Sequence, residues 1–398
     1  MTTTTTVDAT TGTATDTGAP GWELDADHVE FQRVVRGFVD REVRPVIEEA
    51  ERAGRPPQSL WQAWGAAGLL GLGIEEADGG TGGDALAITL FAEEMARASG
   101  GLAVSALVSA YMAAPHIAAY GTAEQRARYL PAIAAGTSIA AIAVTEPGAG
   151  SNVAGLTTRA EATADGFALS GTKMFITNGG IADVTIVAAR TGGPGHGGIT
   201  TFLVDTGTPG LSVGEPLRKL GWHGSDTREV VLDGCVVASD AVLGAENRGF
   251  HQIMERFQLE RVVLAGMGLG HAAECLVAAT EYAREREVFG GPLLALQTIR
   301  HRLAAMTVEL EAARLLTYQA AARLDAGHPE APRSVAIAKY HAAIAANRIV
   351  DEALQLFGGS GYLEETPVAR HYRDVRILRI GGGTDEIQLE VLAKDLIR

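Results

Sequence analysis

A chain of 398 residues with 46% hydrophobic and 20% charged side chains has the length for two or three structural units around more than one core, and is too apolar for a disordered protein. A formal net charge of −15, with no basic run of five or more residues, excludes an electrostatic nucleic-acid binder, and no apolar stretch reads as long and clean enough to span a bilayer. Two widely separated cysteines, Cys235 and Cys275, have no C-x-x-C companion, so neither a disulfide framework nor a metal site is suggested, and a reducing cytoplasm is the simplest compartment.

The chain starts with MTTTTTVDATTGTATDTGAPG, which lacks both the basic and apolar blocks of a secretory signal and the arginines of a transit peptide. Residues 1–26 are expected to form a disordered tail. Residues 27–136 then show helical periodicity: Phe31, Val34, Val35, Phe38 and Val39 recur at steps of three and four, and Gly-rich breaks such as EEADGGTGGD separate the helices. Residues 137–244 change to strand texture. TTRAEATADGFALSGTKMFITN predicts a hairpin turning at Asp165-Gly166, and DVTIVAAR, ITTFLVD and REVVLDGCVV predict further strands of a small antiparallel sheet. Residues 245–398 return to long helices. In one, Leu303, Met306, Leu310, Ala313 and Leu316 share a face. Another, VAIAKYHAAIAANRIVDEALQLF, is apolar nearly all round and is expected to be buried on several sides. The expected class is α+β: an N-terminal helical domain, a central β-domain and a C-terminal four-helix-bundle domain.

Two glycine patterns point to ligands. Gly268-x-Gly270-x-x-Ala273 fits a dinucleotide fingerprint. No βαβ alternation follows, however, and Phe250, Ile253, Met254, Phe257 and Val262 precede it at helical spacing, so the glycines are better explained by close helix packing. The second pattern is Gly381-Gly382-Gly383 running into Thr-Asp-Glu and an apolar helical repeat, which lets a ligand approach the free amides of a helix start. Glu386, the acid nearest this run, is equally suited to capping that helix.

Six ordered segments resemble the acyl-CoA dehydrogenase family from about residue 27 to the C-terminus. They are YGTAEQRARYLPAIAAGTSIAAIAVTEPGAGSN, KMFITNG, RKLGWHGSDTREVVLDGCVVASDAVLGAENRGF, REREVFGGPLLALQ, QLFGGSGYLEETPVARHYRD and GGGTDEIQ. Together they are far more specific than any one of them.

The resemblance implies FAD. Val144, Thr145, Gly150, Ser151, Phe175, Ile176 and Thr177 would run along the flavin, with Phe175 where the family usually has Trp. Arg286, Phe289, Gln297, Gln355, Gly358 and Gly359 would meet the diphosphate and adenosine end across a subunit boundary, with Thr384 and Glu386 near the adenosine side. A homotetramer, a role in fatty acid metabolism and an electron-transfer flavoprotein as electron acceptor are also implied.

In most of the family the residue before G-T is the glutamate that removes the α-proton of the acyl thioester; here Gly382 stands in that place. The isovaleryl- and long-chain branches instead draw this carboxylate from a segment of the form L-x-x-E-R. FQLERVVLAG makes Glu260 the displaced base, beside Arg261. The implied reaction is α-proton abstraction by Glu260 with β-hydride transfer to flavin N5, while the backbone N–H of Gly382 helps to hold the thioester oxygen. Ser151, Arg261, Phe257, Tyr111, Met112 and Gly381 are the candidate substrate contacts. Short or branched acyl-CoA is the expected substrate. The alternatives are an acyl-carrier-protein thioester and a flavin-dependent monooxygenase or oxidase on the same fold, the latter suggested by Asn152 and Phe175 at positions where the family motifs have Asp and Trp.

Overall fold

The computed structural model describes residues 24–397. Residues 1–23 of the expected tail lie outside the described residues, and 24–26 belong to the folded body. Leu24 packs against the core, and the Asp25 carboxylate accepts a hydrogen bond from the His28 amide at 2.8 Å, capping the first helix. That helix, α1 (Ala26–Phe38), is followed by α2 (Ile47–Ala53), α3 (Gln58–Ala66), α4 (Ala85–Ala98), α5 (Gly100–Leu107), α6 (Ala114–Tyr120) and α7 (Ala123–Ala134). A π-helical turn, Val108–Ala113, joins α5 to α6 without a break.

The sheet comprises β1 (Ala140–Ala143), β2 (Arg159–Ala162), β3 (Gly166–Thr177), β4 (Val184–Arg190), β5 (Ile199–Asp205), β6 (Leu211–Val213), β7 (Thr227–Ala238) and β8 (Val242–Leu243). Its spatial order is β6-β7-β3-β2-β4-β5-β8, with β1 on β4. The expected hairpin is present but turns over Ala164-Asp165, one residue before the expected Asp165-Gly166: the Thr163 amide donates to the Gly166 carbonyl at 2.9 Å, and Gly166 opens β3. The sheet is antiparallel, as expected, apart from two pairings. β1 runs parallel to β4, pairing Ala140 with Val184, and β2 meets β4 in parallel at Arg159 and Arg190. β1 reads AAIA and is buried at all four positions, so it lacks the polar–apolar alternation by which a one-sided antiparallel strand is recognised.

The C-terminal helices are α8 (Gly249–Glu285), α9 (Gln297–Asp325), α10 (Ala331–Phe357), α11 (Pro367–Val375) and α12 (Asp385–Leu396). The dinucleotide fingerprint lies in the middle of α8. A Cβ on Gly266 would come 2.8 Å from the Thr89 carbonyl oxygen, one on Gly270 2.1 Å from that of Glu93, and one on Gly268 3.2 Å from that of Ala342. These glycines let α4 and α10 press against α8, so they have a packing role and bind no dinucleotide.

The core follows from that contact. Helices from both ends of the chain share one hydrophobic cluster, whereas the sheet has a second, built on Leu169, Phe202, Val230 and Leu232. Strand alternation divides β1 between them: Ala140 and Ile142 face the helical core, Ala141 and Ala143 the sheet core. Two stretches, Gly100–Tyr120 and Gly249–Glu285, are long and apolar enough to cross a bilayer, contrary to the sequence reading; both are mostly buried within the fold.

Candidate active site

The glycine run and α8 meet. Gly382 and Gly383 have φ of +64° and +91°, a left-handed backbone that favours glycine. A Cβ on Gly382 would lie 3.6 Å from Oε1 of Glu260 and only 2.6 Å from Cδ1 of Leu264. The carboxyl group of Glu260 thus lies beside the position from which a glutamate side chain at 382 would start. Glu260 is buried, and its Oε2 has no hydrogen-bond partner. It forms no ion pair with either neighbouring arginine: Arg256 pairs with Glu255, and Arg261 Nε donates to the Gly382 carbonyl at 3.1 Å. Burial pushes the Glu260 carboxyl up to about 7, while the charges of Arg261 and Lys339 pull it the other way.

The backbone of the run is gripped from three helices. The Gly382 carbonyl accepts from Arg261 of α8 and from Gln388 Nε2 of α12 at 3.2 Å. The Gly383 carbonyl accepts from Gln388 at 3.1 Å and from Lys339 Nζ of α10 at 2.6 Å. Among the described residues, the amides of Gly382, Gly383 and Thr384 donate to no acceptor. Thr384 caps α12, its hydroxyl accepting from the Ile387 amide at 3.4 Å. Glu386 is exposed, and its carboxyl is held below the usual range by its own amide and by Thr384, which is the behaviour of a capping acid.

A second group of site residues surrounds the turn after β1. Thr145, Gly150 and Ser151 are accessible, and a Cβ on Gly148 or Gly150 would meet nothing within 4 Å. Phe175 has a φ of +61° and is 65% exposed, an aromatic ring presented to solvent from a strained backbone. Thr177 is half-buried, whereas the Val144 and Ile176 side chains point into the cores, so only their backbones face this surface.

Sequence reasoning missed what holds this surface together. Lys173, 0% exposed, donates to Glu146 Oε1 at 2.8 Å and to the Val144 carbonyl at 3.1 Å. Glu146 also accepts from the Thr157 amide and hydroxyl and from the Thr158 amide. Burial alone would raise the Glu146 carboxyl, but Lys173 and the threonine donors outweigh it and hold it at about 2; burial draws the Lys173 ammonium down to about 8. The Met174 amide then donates to the Thr145 carbonyl, tying the turn to β3.

A third group lies at the far end of α8. Arg286, Gly358 and Gly359 line one cleft of about 350 Å3 with Tyr282, Val288 and Phe357. Arg286 makes no ion pair with Glu281, Glu285 or Glu287, and a Cβ on Gly358 or Gly359 would meet open space. Gln297 does not line this cleft: it lines a second one with Thr298, His301 and Arg302, and Gln355 is exposed. Phe289 is 99% exposed. Of the substrate candidates, Ser151 is exposed, and Phe257, Met112 and Gly381 are half-buried. Tyr111 is a core residue, packed edge-on to Phe91 with its hydroxyl donating to the Leu69 carbonyl.

Comparison with known proteins fits this layout. Family models match in chain order: acyl-CoA dehydrogenase N-terminal domain over residues 25–137, middle domain over 141–235 and C-terminal domain over 247–397. The chain is 38% identical to the short-chain specific acyl-CoA dehydrogenase of Megasphaera elsdenii, covering 93% of this chain and 97% of that protein. It is 36% identical to the mitochondrial long-chain specific acyl-CoA dehydrogenase of Rattus norvegicus, covering 94% and 87%. Among solved structures, a glutaryl-CoA dehydrogenase from Mycobacterium smegmatis in complex with FADH2 superposes with a TM-score of 0.89 at 34% identity, covering 94% and 95%. The chain belongs to the acyl-CoA dehydrogenase family.

Proposed function

We propose that this chain is an FAD-dependent dehydrogenase of acyl thioesters in which Glu260 removes the α-proton. The observation that carries this reading is the unpartnered, buried Glu260 carboxyl beside the Cβ position of Gly382. A carboxylate that titrates near neutrality in a dry pocket is matched to abstracting a weakly acidic carbon-bound proton. The free amides of Gly382 and its neighbours are donors for the thioester oxygen on which negative charge builds. When bound, FAD supplies the acceptor for the β-hydrogen and its electron pair, leaving a Cα–Cβ double bond.

The residues present fit that cofactor. Open space over Gly148 and Gly150 and the exposed Phe175 ring suit a flat apolar ring system, and the Arg286–Gly358–Gly359 cleft suits a diphosphate. The exposed Phe289 and Tyr362 beside that cleft support its completion by another copy of the chain, in a homotetramer. An electron-transfer flavoprotein is the proposed electron acceptor.

The test is anaerobic mixing of the purified yellow protein with acyl-CoAs from isobutyryl and isovaleryl to octanoyl and palmitoyl, following flavin absorbance. Bleaching by a short or branched member is expected. A protein bleached by none of them, which instead consumes oxygen when reduced, contradicts the dehydrogenase reading.

The pH dependence has a defined sign. Glu260 acts only as the carboxylate, and burial holds its carboxyl at about 7. The rate of flavin reduction should therefore rise about tenfold per pH unit below that value and level off above it. A rate already at its plateau at pH 5.5 would remove Glu260 from the role.

A further inference from the structure

Lys339 is the only charged residue in the stretch VAIAKYHAAIAAN of α10, and it is 1% exposed. Among the described residues its ammonium makes no ion pair within 4 Å, and its one hydrogen bond is to the Gly383 carbonyl. The charged groups facing it are Glu260 and Arg261 from α8 and Asp385 and Glu386 from α12, and Asp385 is already engaged by Arg379 at 2.6 Å. Burial pulls the ammonium down to about 8, with Asp385 the largest opposing influence. Holding one carbonyl does not require a charge, because a neutral amide such as Gln388 already donates to that oxygen. A buried cation is costly, and of the negative charges that face it Asp385 is engaged by Arg379 and Glu386 is exposed, which leaves the Glu260 carboxylate as the buried acid without a partner of its own.

We propose that Lys339 is a positioning residue for the proton-transfer step: it fixes the Gly383 carbonyl so that the amides of the glycine run stay free for substrate, and its positive charge favours the ionised form of Glu260. This inference rests on Glu260 being the base. With the Gly382 and Gly383 carbonyls taken by Arg261, Gln388 and Lys339, the two peptide planes that carry the Gly383 and Thr384 amides cannot turn, which keeps those two donors available at no reorganisation cost. The same cation, together with Arg261, opposes the rise that burial imposes on the Glu260 carboxyl.

The experiment compares Lys339→Met and Lys339→Gln with wild-type holoenzyme in single-turnover flavin reduction across pH 5.5–9. Both variants should move the acid limb to higher pH. The Met variant, which also loses the carbonyl bond, should additionally show faster amide exchange in a peptide spanning residues 380–388, read by mass spectrometry. Lys339→Gln keeps a donor of similar length and serves as the probe of charge if the Met variant does not fold. In a Glu260→Gln background Lys339→Gln, which keeps a donor, should not slow the residual rate further, whereas Lys339→Met, which loses the carbonyl bond, should. An unshifted limb in Lys339→Gln, with Glu260→Gln inactive, overturns the role of Lys339 alone. Wild-type reduction by Glu260→Gln overturns the base assignment itself.

Discussion

Replacing Glu260 by glutamine should leave FAD bound and the fold intact while slowing flavin reduction by on the order of 10^3- to 10^4-fold. The amide has nearly the shape of the carboxyl, and the native group has no ion pair to lose, so folding should be barely perturbed. Only the ability to accept a proton disappears. Reduction at the normal rate, with FAD in place, would mean that another group takes the proton. Rescue by a second-site glutamate is constrained by the local backbone. Gly382 has a φ of +64°, and the first carbon of any side chain there would come 2.6 Å from Leu264 Cδ1. Glu260→Gln/Gly382→Glu should therefore stay slow, and adding Leu264→Ala should recover part of the rate.

The second large effect is expected at Lys173. Substitution by methionine fills the same space but leaves the Glu146 carboxylate buried with only the three threonine donors. Breaking a buried pair by removing one partner costs about 3–5 kcal/mol. The loss should appear in the denaturation midpoint, and also as lower FAD occupancy, because the same pair joins the turn carrying Thr145, Gly150 and Ser151 to the strand carrying Phe175. The double variant Lys173→Met/Glu146→Gln should be less damaged than the sum of the two single variants, since no unpaired charge is then left. Full additivity would show that the two side chains are not coupled.

Much of this was legible in the residues. The hairpin was legible because Asp-Gly between two extended runs marks a chain reversal, though its exact turn residues were not, and the helical periods at both ends came from repeated apolar steps of three and four. Gly382 and Glu260 could be linked only through the family resemblance, because 121 positions of chain between them carry no local signal of contact. The shared helical core was hidden for the same reason: α4 and α8 meet through glycines whose partners are backbone carbonyls far away in sequence. A parallel β1 escaped because four buried residues show no period. Lys339 and Lys173 escaped because a buried cation is recognised by its partner, and periodicity does not name partners. A single lysine in an otherwise apolar helix was the available clue.

The division into two cores means that the sheet is an insert in a helical protein. The polypeptide leaves the helical body once, after α7, and re-enters it once, at the start of α8, and the two helical parts on either side need each other to cover α4 and α8. Neither flanking part is therefore a separable module, although the sheet separates them in sequence. The sheet has an interior of its own, yet Ala140, Ile142, Val184, Ile186, Ile199 and Leu203 of β1, β4 and β5 are part of the helical core. Since the Thr145–Ser151 turn and Phe175 belong to that insert while Glu260 and the glycine run belong to the helical body, the face of β1, β4 and β5 shared with the helices is what sets the proposed flavin surface against the proposed base.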